Sequence, residues 1–353
     1  MADEEGFLES YRRDRHRKRM FVIASVCIIV VAFSITLSVG KYRIGVQESY
    51  EIIWKIIVGD LVDRMDRYIV WESRLPRAIT AITVGAGLAA AGCAMQYMMR
   101  NPLADPYTTG ISSGAGLGAS LAIVVGFCIV PGIPLQYATI VNAFLFSLIP
   151  TAVILVVTRL KRIPPVMMIL MGVGIMYLFS AVTTLVSLMA SPDDLAEVYQ
   201  WNVGTLGKAE WSNVPFTVAA AIAGIGTLCI VGRRFDIVSL DEKVSSTLGE
   251  DASRVRTAGM VVLSLMTAVL VCFTGTIGFV GLVAPHIARR FVSNGSAVLL
   301  PASACIGAAL LECADCVAKV LGSAGLPVGI VMSMVGGPLF LYILLRSRRG
   351  TWR

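Results

Sequence analysis

Residues 78–99 read AITAITVGAGLAAAGCAMQYMM, a run of 22 residues without one charged side chain. About 20 apolar residues in an α-helix are long enough to cross the hydrocarbon core of a bilayer. Runs of this length and character recur along the whole chain. We therefore predict an all-α, polytopic membrane protein with about ten transmembrane helices.

The overall composition supports this prediction and excludes several soluble classes. The chain has 353 residues, of which 56% are hydrophobic and 15% are charged, and its mean hydropathy is +0.77. A soluble domain has roughly 25% charged residues, so this much apolar surface cannot be buried in a water-soluble core. A cytosolic enzyme, a DNA-binding module and a secreted disulfide scaffold are not expected. The net charge of +7 lies in loops on one side, so the lipid bilayer is expected as a partner and nucleic acid is not.

Charges, prolines and glycines divide the apolar sequence into ten predicted spans. When these spans alternate, most of the 30 Lys and Arg residues fall on one side, which the positive-inside rule assigns to the cytoplasm. We expect a basic cytoplasmic tail at 1–19, one transmembrane domain at 20–346 and a basic cytoplasmic tail at 347–353, in a multi-pass protein of the cytoplasmic membrane. The junction around Gly275 and Thr276 carries no charge. The ten spans are 20–39, 78–99, 111–130, 137–158, 166–190, 212–231, 257–275, 276–292, 297–318 and 327–345.

Glycines recur at the spacing of helix packing. Gly110, Gly114 and Gly118 form two consecutive G-x-x-x-G steps, and Gly325 and Gly329 form another. Small residues four apart let helix backbones approach closely inside a membrane. This pattern predicts a compact bundle rather than a particular function.

Groups suited to catalysis are scarce. The sequence lacks the H-E-x-x-H, G-x-S-x-G and G-x-x-x-x-G-K-[ST] motifs, so we predict no catalytic residue, no metal site and no cofactor in this chain. Glu312, Asp315 and Lys319 share one helical face near an outer end, a position that suggests a surface or vestibule. An ion-coupled secondary transporter with interrupted helices remains an alternative, but it would need an ionisable site at mid-membrane.

One polar segment, at about 236–252, has the pattern of a docking element. Within it Leu240, Val244 and Leu248 recur every four residues before Gly249. This is a short amphipathic helix with a narrow apolar stripe, which fits a groove on another protein. A solvated loop or a helix resting on the membrane surface fits the same pattern.

Several motifs together resemble those of the FecCD-type permeases, the membrane subunits of ATP-driven importers for iron-siderophores, haem and vitamin B12. They occur in the family's order and spacing from about residue 70 to 346. The motifs are Arg74-Leu-Pro-Arg77, Val84-Gly-Ala-Gly-Leu-Ala-Ala-Ala-Gly92, Arg100-Asn-Pro-Leu-Ala-Asp-Pro106, Gly110-Ile-Ser-Ser-Gly114, Gly278-Phe-Val-Gly-Leu-Val-Ala-Pro-His286, Leu326-Pro-Val-Gly329 and Gly336-Gly-Pro-Leu-Phe-Leu341.

The resemblance implies a type II ABC importer permease fold and a role for each motif. Arg74, Arg77 and Lys319 are expected to dock an extracytoplasmic substrate-binding protein. Asn101 and Leu103 are expected at the cytoplasmic gate, although Asn101 with Pro102 also reads as a simple helix stop. The coupling residues are expected to contact the ATPase subunit; they are Leu240, Asp241, Val244, Ser245, Leu248 and Gly249.

The resemblance also implies an assembly and a class of cargo. Two permease copies are expected with two ABC ATPase subunits, which use the ATP, so this chain is not itself the enzyme. The expected cargo is an iron chelate, first a ferric siderophore. Cobalamin and haem importers share all of these motifs, so those two substrates stay open.

Overall fold

The computed structural model describes residues 20–21, 23–40, 42–161, 163–240, 242–321 and 326–346. Both predicted tails, Asp241 and Gly325 lie outside these ranges. Within them the chain forms helices and no strand. Numbered in chain order, the helices are α1 (Ile23–Ser38), α2 (Val46–Val58), α3 (Arg64–Met99), α4 (Ile111–Val125), α5 (Leu135–Lys161), α6 (Pro165–Ser187), α7 (Pro192–Val203), α8 (Val214–Val238), α9 (Glu242–Thr247), α10 (Ala252–Thr274), α11 (Val280–Ala288), α12 (Ser296–Val320) and α13 (Val328–Arg346).

The prediction of an all-α membrane protein with about ten spans is confirmed. Six of the described helices are long and apolar enough to cross a membrane, namely α3, α5, α6, α8, α10 and α12. Three shorter apolar helices, α1, α4 and α13, match further predicted spans. The remaining predicted span, 276–292, contains only α11, which has nine residues. The predicted continuous helix there was wrong.

The break between α10 and α11 replaces half of a span. A nine-residue helix rises about 14 Å. The backbone from Gly275 to Phe279 is not helical, and five residues can extend at most about 17 Å. Gly275 and Phe279 both have positive φ, so the segment is not fully extended, and about 30 Å is the upper limit of what it and α11 can span together. The alternating topology requires this segment and α11 to carry the chain across the membrane.

Side-chain size separates the central helices from the peripheral ones. From residue 78 to residue 94, α3 carries mostly Ala, Gly and other small residues and is largely buried, and α3 packs against α8, α10, α11 and α12. A Cβ at Gly85 would collide with the carbonyl oxygen of Gly307 in α12. α6 carries bulky Met, Leu and Ile residues and is mostly exposed. Small residues thus allow close packing at the centre, while large apolar residues remain on the outside to face lipid.

The predicted glycine packing is confirmed for α4. A Cβ at Gly114 would collide with the carbonyl oxygen of Phe146, and one at Gly118 would collide with that of Asn142. Both acceptors belong to α5. The repeated glycines therefore bring the α4 and α5 backbones into contact.

Candidate functional site

Arg74 holds the end of α1 in place. It lies in the π-helical turn Arg67–Arg74 at the beginning of α3 and is buried. Its guanidinium donates to the carbonyl oxygens of Leu37 at 2.7 Å, Ser38 at 3.0 Å and Tyr42 at 2.5 Å. The last carbonyls of a helix have no partner within the helix, and a cation there also opposes the helix dipole. Arg74 therefore acts as a cap that joins α1 to α3.

Arg77 and Lys319 meet at one buried carboxylate. Arg77 donates from Nε and Nη2 to Oδ1 of Asp315, at 2.8 and 2.7 Å. The Lys319 ammonium lies 3.0 Å from Oδ2 of the same residue and donates to the Thr36 carbonyl at 3.3 Å. The side chains of Arg77 and Lys319 are 20% and 8% exposed, and that of Asp315 is fully buried. We call Arg74, Arg77, Glu312, Asp315 and Lys319 the charge cluster.

Glu312 lies one helical turn from Asp315 in α12 and is fully buried. Neither of its carboxylate oxygens has a hydrogen-bond partner among the described residues. The expectation that Glu312 and Asp315 lie on a surface or vestibule face was wrong. The spacing of Glu312, Asp315 and Lys319 correctly placed them on one face of α12. That face is buried because α1 and α3 pack against it.

The connection between α3 and α4 contains the predicted gate residues. Arg100 takes a left-handed conformation at the end of α3, and its Nε donates to the Val238 carbonyl at 3.1 Å. Oδ1 of Asn101 accepts from the Leu103 amide at 2.9 Å, so Asn101 folds the turn that follows the helix. Leu103 is exposed. The structure thus shows that Asn101 stabilises a turn after α3. The role of Asn101 and Leu103 in gating stays a prediction.

Asp105, two residues further on, is a buried acid of this connection. Its carboxylate accepts from the Tyr107 amide at 3.1 Å and caps the 3-10 helix Pro106–Thr109. Burial raises the pKa of Asp105 to about 6, while the hydrogen bond from the Tyr107 amide lowers it. No ion pair to Asp105 occurs in the part of the chain that the structure describes.

The coupling segment forms a short helix between α8 and α10. Leu240, Val244 and Leu248 are all exposed, as their spacing predicts. Ser245 is buried on the opposite side, where its hydroxyl donates to the Ile237 carbonyl at 2.8 Å. Gly249 ends the segment with a φ of +81°, and Asp241 lies outside the described residues. The stripe is thus held outward by a polar contact on its inner side.

The ends of the coupling segment are tied to the end of α3. Arg100 reaches the Val238 carbonyl at the end of α8. The buried Arg256 near the beginning of α10 donates from Nε to the Met98 carbonyl at 3.1 Å. Arginines near a helix C-terminus satisfy carbonyls that have no partner within the helix. The residues on both sides of α9 therefore connect directly to α3 and to the connection that contains Asn101.

A cleft of about 430 Å³ opens at the break between α10 and α11. Its polar lining consists of Tyr107, Ser112, Asn202, Thr276 and Ser333, and its other lining residues are glycine or apolar. In the nonhelical backbone beside it, the Ile277 amide donates to the Tyr107 hydroxyl at 3.2 Å. The Thr276 side-chain hydroxyl donates to the Asn202 carbonyl near the end of α7. Irregular backbone at membrane depth is tolerated where it is buried in protein or lines a polar cavity.

Comparison with known proteins identifies the family. The model of the FecCD transport family matches residues 28–346. The chain belongs to the FecCD transport family. This FecCD chain is 33% identical to the hemin transport system permease protein of Yersinia pestis, over 89% of this chain and 93% of that protein. It is 30% identical to the molybdate import system permease protein of Haemophilus influenzae, over 92% and 94%.

A solved structure of an ABC transporter of metal-chelate type, in an inward-facing conformation, has the same fold. The TM-score is 0.81 at 28% identity, and the match covers 93% of this chain and 99% of that chain. The FecCD chain is thus a multi-pass membrane permease subunit of the ABC importer type. The relatives differ in the substrates they are named for, so membership in the family leaves the cargo open.

Sequence reasoning assigned no role to the polar residues that line the cleft, although Ser112 and Thr276 lie in stretches quoted above. Asn202 lies near the end of α7, where Trp201 is buried against α4 and α10. Thr276 lies at the junction without charge. The sequence pattern that could have indicated the cleft is a polar residue next to glycine within an apolar stretch.

Proposed function

We propose that this FecCD permease carries a metal chelate, in the first place a ferric siderophore, across the cytoplasmic membrane with both termini in the cytoplasm. It works as a twofold pair of permeases with two ATPase subunits and one extracytoplasmic binding protein. The cleft is the observation that supports a chelate as cargo, and the choice of a ferric siderophore among chelates rests on the resemblance to the family. Its described lining contains no charged side chain, only hydroxyl, amide and apolar groups.

A neutral cleft suits a chelate better than a bare oxyanion. A chelator surrounds the metal ion with its own oxygen or nitrogen ligands, so the outer surface of the complex offers hydrogen-bonding and apolar groups. A site that recognises a small oxyanion needs paired cations or a set of backbone amides, because an anion moved into an apolar site without them loses its hydration. The cleft therefore favours chelates over molybdate as cargo. Weak, neutral contacts also allow a large cargo to leave as easily as it enters.

The coupling segment supports an ATPase partner. Val244 on the short helix α9, with Leu240 just before it and Leu248 just after it, presents an exposed apolar stripe of the kind that docks in a groove on another protein. Movement of α9 would reach α3 through Arg100 and Arg256, because these side chains bridge the ends of α8 and α10 to the end of α3. Each nucleotide state of the partner would then favour one conformation of the permease.

Docking of the binding protein through Arg74, Arg77 and Lys319 is the remaining part of the proposal. These cations are already bonded within the chain, so they act first through their summed field. Three cations stand against Asp315 and Glu312, which leaves the charge cluster net positive. A positive region attracts an acidic lobe and steers its approach. Arg77, the most exposed of the three, is the residue best placed for direct contact.

Transport in proteoliposomes tests the proposal. The permease is reconstituted with its ATPase and loaded binding protein, and uptake of radiolabelled ferric siderophore, haemin, cobalamin and molybdate is followed in parallel. We expect ferric siderophore uptake that requires both ATP and binding protein. An ATPase subunit inactivated in its nucleotide site is the control.

Each alternative has its own outcome in this assay. ATP-dependent uptake of cobalamin or haemin alone would keep the importer and replace the cargo. Preferred uptake of molybdate would contradict the conclusion drawn from the neutral cleft. Uptake driven by an ion gradient without ATP would overturn the proposal in favour of secondary transport.

A further inference from the structure

Helix α2 has three different faces. Successive residues of a helix are about 100° apart, so its side chains sort into arcs. The first arc, with Ser49, Ile52, Ile53 and Ile56, packs on the protein. The second, with Glu48, Glu51 and Lys55, is charged and exposed. The third, with Val46, Tyr50, Trp54, Ile57 and Val58, is apolar and exposed, and Gln47 is its one polar member.

The packed arc fixes the rotation of α2 without help from any partner. Ile52 lies against Val70 and Ile44 in a small core beneath the helix. The Ser49 hydroxyl is within hydrogen-bond distance of the Leu37 carbonyl at the end of α1, at 3.2 Å. Because protein contacts set this rotation, the direction of the apolar arc belongs to the fold. Trp54 and Ile57 remain 67% and 63% exposed.

The apolar arc faces the membrane rather than the water above it. The Tyr50 hydroxyl lies 2.9 Å from the Ser34 hydroxyl, which is about one turn before the end of α1. Tyr50 therefore points along α1 toward the bilayer centre. The side chains of α1 on either side of Ser34, including Val31 and Ile35, are themselves exposed and apolar. The arc of α2 thus continues the lipid-facing surface of α1.

We propose that α2 is an interfacial helix whose arc of Tyr50, Trp54 and Ile57 inserts into the outer leaflet of the membrane, between headgroups and acyl chains. Tyr and Trp are enriched at this depth because each has an apolar ring and a polar group. A helix with one charged and one apolar exposed face lies in the plane of the interface. The connection between α1 and α3 supplies the right place, since both flanking helices end there on the same side.

This placement has a consequence for the charge cluster. α2 packs on the π-helical turn through Ile52 and Val70, and that turn ends at Arg74. Anchoring α2 in the leaflet therefore sets the height of the beginning of α3 relative to the membrane surface. The insertion of α2 at a membrane surface depends only on α2 and α1, and its assignment to the outer leaflet rests on the proposed orientation with both termini in the cytoplasm. The inference is independent of the proposed cargo and partners.

Site-directed spin labelling of the full chain in lipid vesicles tests the proposal. In a background without other reactive cysteines, labels are placed by Trp54→Cys and Ile57→Cys on the apolar arc, and by Glu51→Cys and Lys55→Cys on the charged arc as matched controls. Molecular oxygen partitions into lipid, and a nickel chelate stays in water. We expect oxygen to relax the labels at 54 and 57 more than nickel does, and the opposite order at 51 and 55.

Two outcomes would overturn the proposal. Equal access of nickel to all four labels would place both exposed arcs in water. The labels at 54 and 57 could also be accessible to nickel in vesicles and lose that access only when a binding protein is added. That outcome would assign the apolar arc to protein docking. A measurement that needs no cysteine is quenching of tryptophan fluorescence by phospholipids brominated near the headgroup. We expect Trp54→Phe to remove a large part of that quenching.

Discussion

The charge cluster and the coupling segment are opposite in character. The charge cluster collects cations that a surface would normally expose, and buries them against Asp315 and the end of α1. The coupling segment collects Leu240, Val244 and Leu248, which a core would normally bury, and exposes them. Both lie at the ends of the helix bundle. Residue type alone therefore does not reveal which surface of this protein is available to a partner.

The difference has a physical basis in what each region can satisfy internally. A buried charge is tolerated where it is paired or fully hydrogen-bonded. Asp315 pairs with Arg77 and accepts its hydrogen bonds, and three backbone carbonyls accept from Arg74. An exposed apolar side chain cannot be stabilised by hydrogen bonds within the chain. It is stabilised only when another surface buries it away from water. A partner that buries the coupling segment thus gains binding free energy from it. Breaking a contact in the charge cluster instead lowers the stability of the fold.

The largest expected effect comes from Asp315→Asn. This change leaves Arg77 and Lys319 buried without their counter-ion, which typically costs about 3–5 kcal/mol. We expect a clearly lower thermal midpoint in detergent. The comparison variant is Glu312→Gln in the same helix. Its carboxylate oxygens make no hydrogen bond of ordinary geometry among the described residues, so stability should fall much less than in Asp315→Asn. A variant Asp315→Asn as stable as the parent chain would show that the charge cluster is not structural.

The second effect concerns the coupling segment. Replacing Leu240 and Leu248 by Asp should leave folding intact, because both side chains are exposed. Apolar anchors at an interface contribute about 1–2 kcal/mol each, so association with the ATPase should weaken roughly tenfold to a thousandfold. Co-purification and transport-coupled ATP hydrolysis measure this. The control replaces the same two residues by Met, which keeps the apolar stripe, and an Asp variant that still couples would argue against docking.

The third effect concerns Asp105, a buried acid that has no ion pair among the described residues. The pKa of Asp105 is raised to about 6 in the folded protein from 3.8, so between these values the folded state binds more protons than the unfolded state. Stability should therefore fall as the pH rises from 4 to 6, by up to roughly 3 kcal/mol. Thermal midpoints across this range measure it. In Asp105→Asn this component of the pH dependence should disappear. A variant whose thermal midpoints change with pH as those of the parent chain do would contradict the role of Asp105.

The smallest expected effect separates steering from structure at Arg77. Arg77→Gln leaves Lys319 to pair Asp315, and it lowers the outward positive field. We expect affinity for the binding protein to fall by a few-fold at low salt, with the difference shrinking as salt rises. The control is Lys208→Gln, an exposed cation of the predicted outer side that pairs with Glu197. Unchanged affinity at low salt would mean that Arg77 serves only the fold.

Much of the molecule was predictable from local sequence. The lengths of the apolar runs predicted the nine apolar helices. The spacing of Gly114 and Gly118 predicted close helix packing, and the recurrence of Leu240, Val244 and Leu248 predicted an exposed stripe. These features depend on the rise and period of a helix, which are the same in every protein. The ordered motifs gave the family.

The sequence by itself thus determined the class of fold, the nine apolar helices and the family, because run length, helical period and motif order are properties of the chain alone. Only the tertiary structure decided what lies beside what. The burial of Glu312 and Asp315, the break before α11 and the neutral cleft all depend on contacts between residues far apart in sequence, such as Arg77 with Asp315 and Tyr107 with Ile277. Local pattern cannot specify such contacts, because they arise only when distant helices pack.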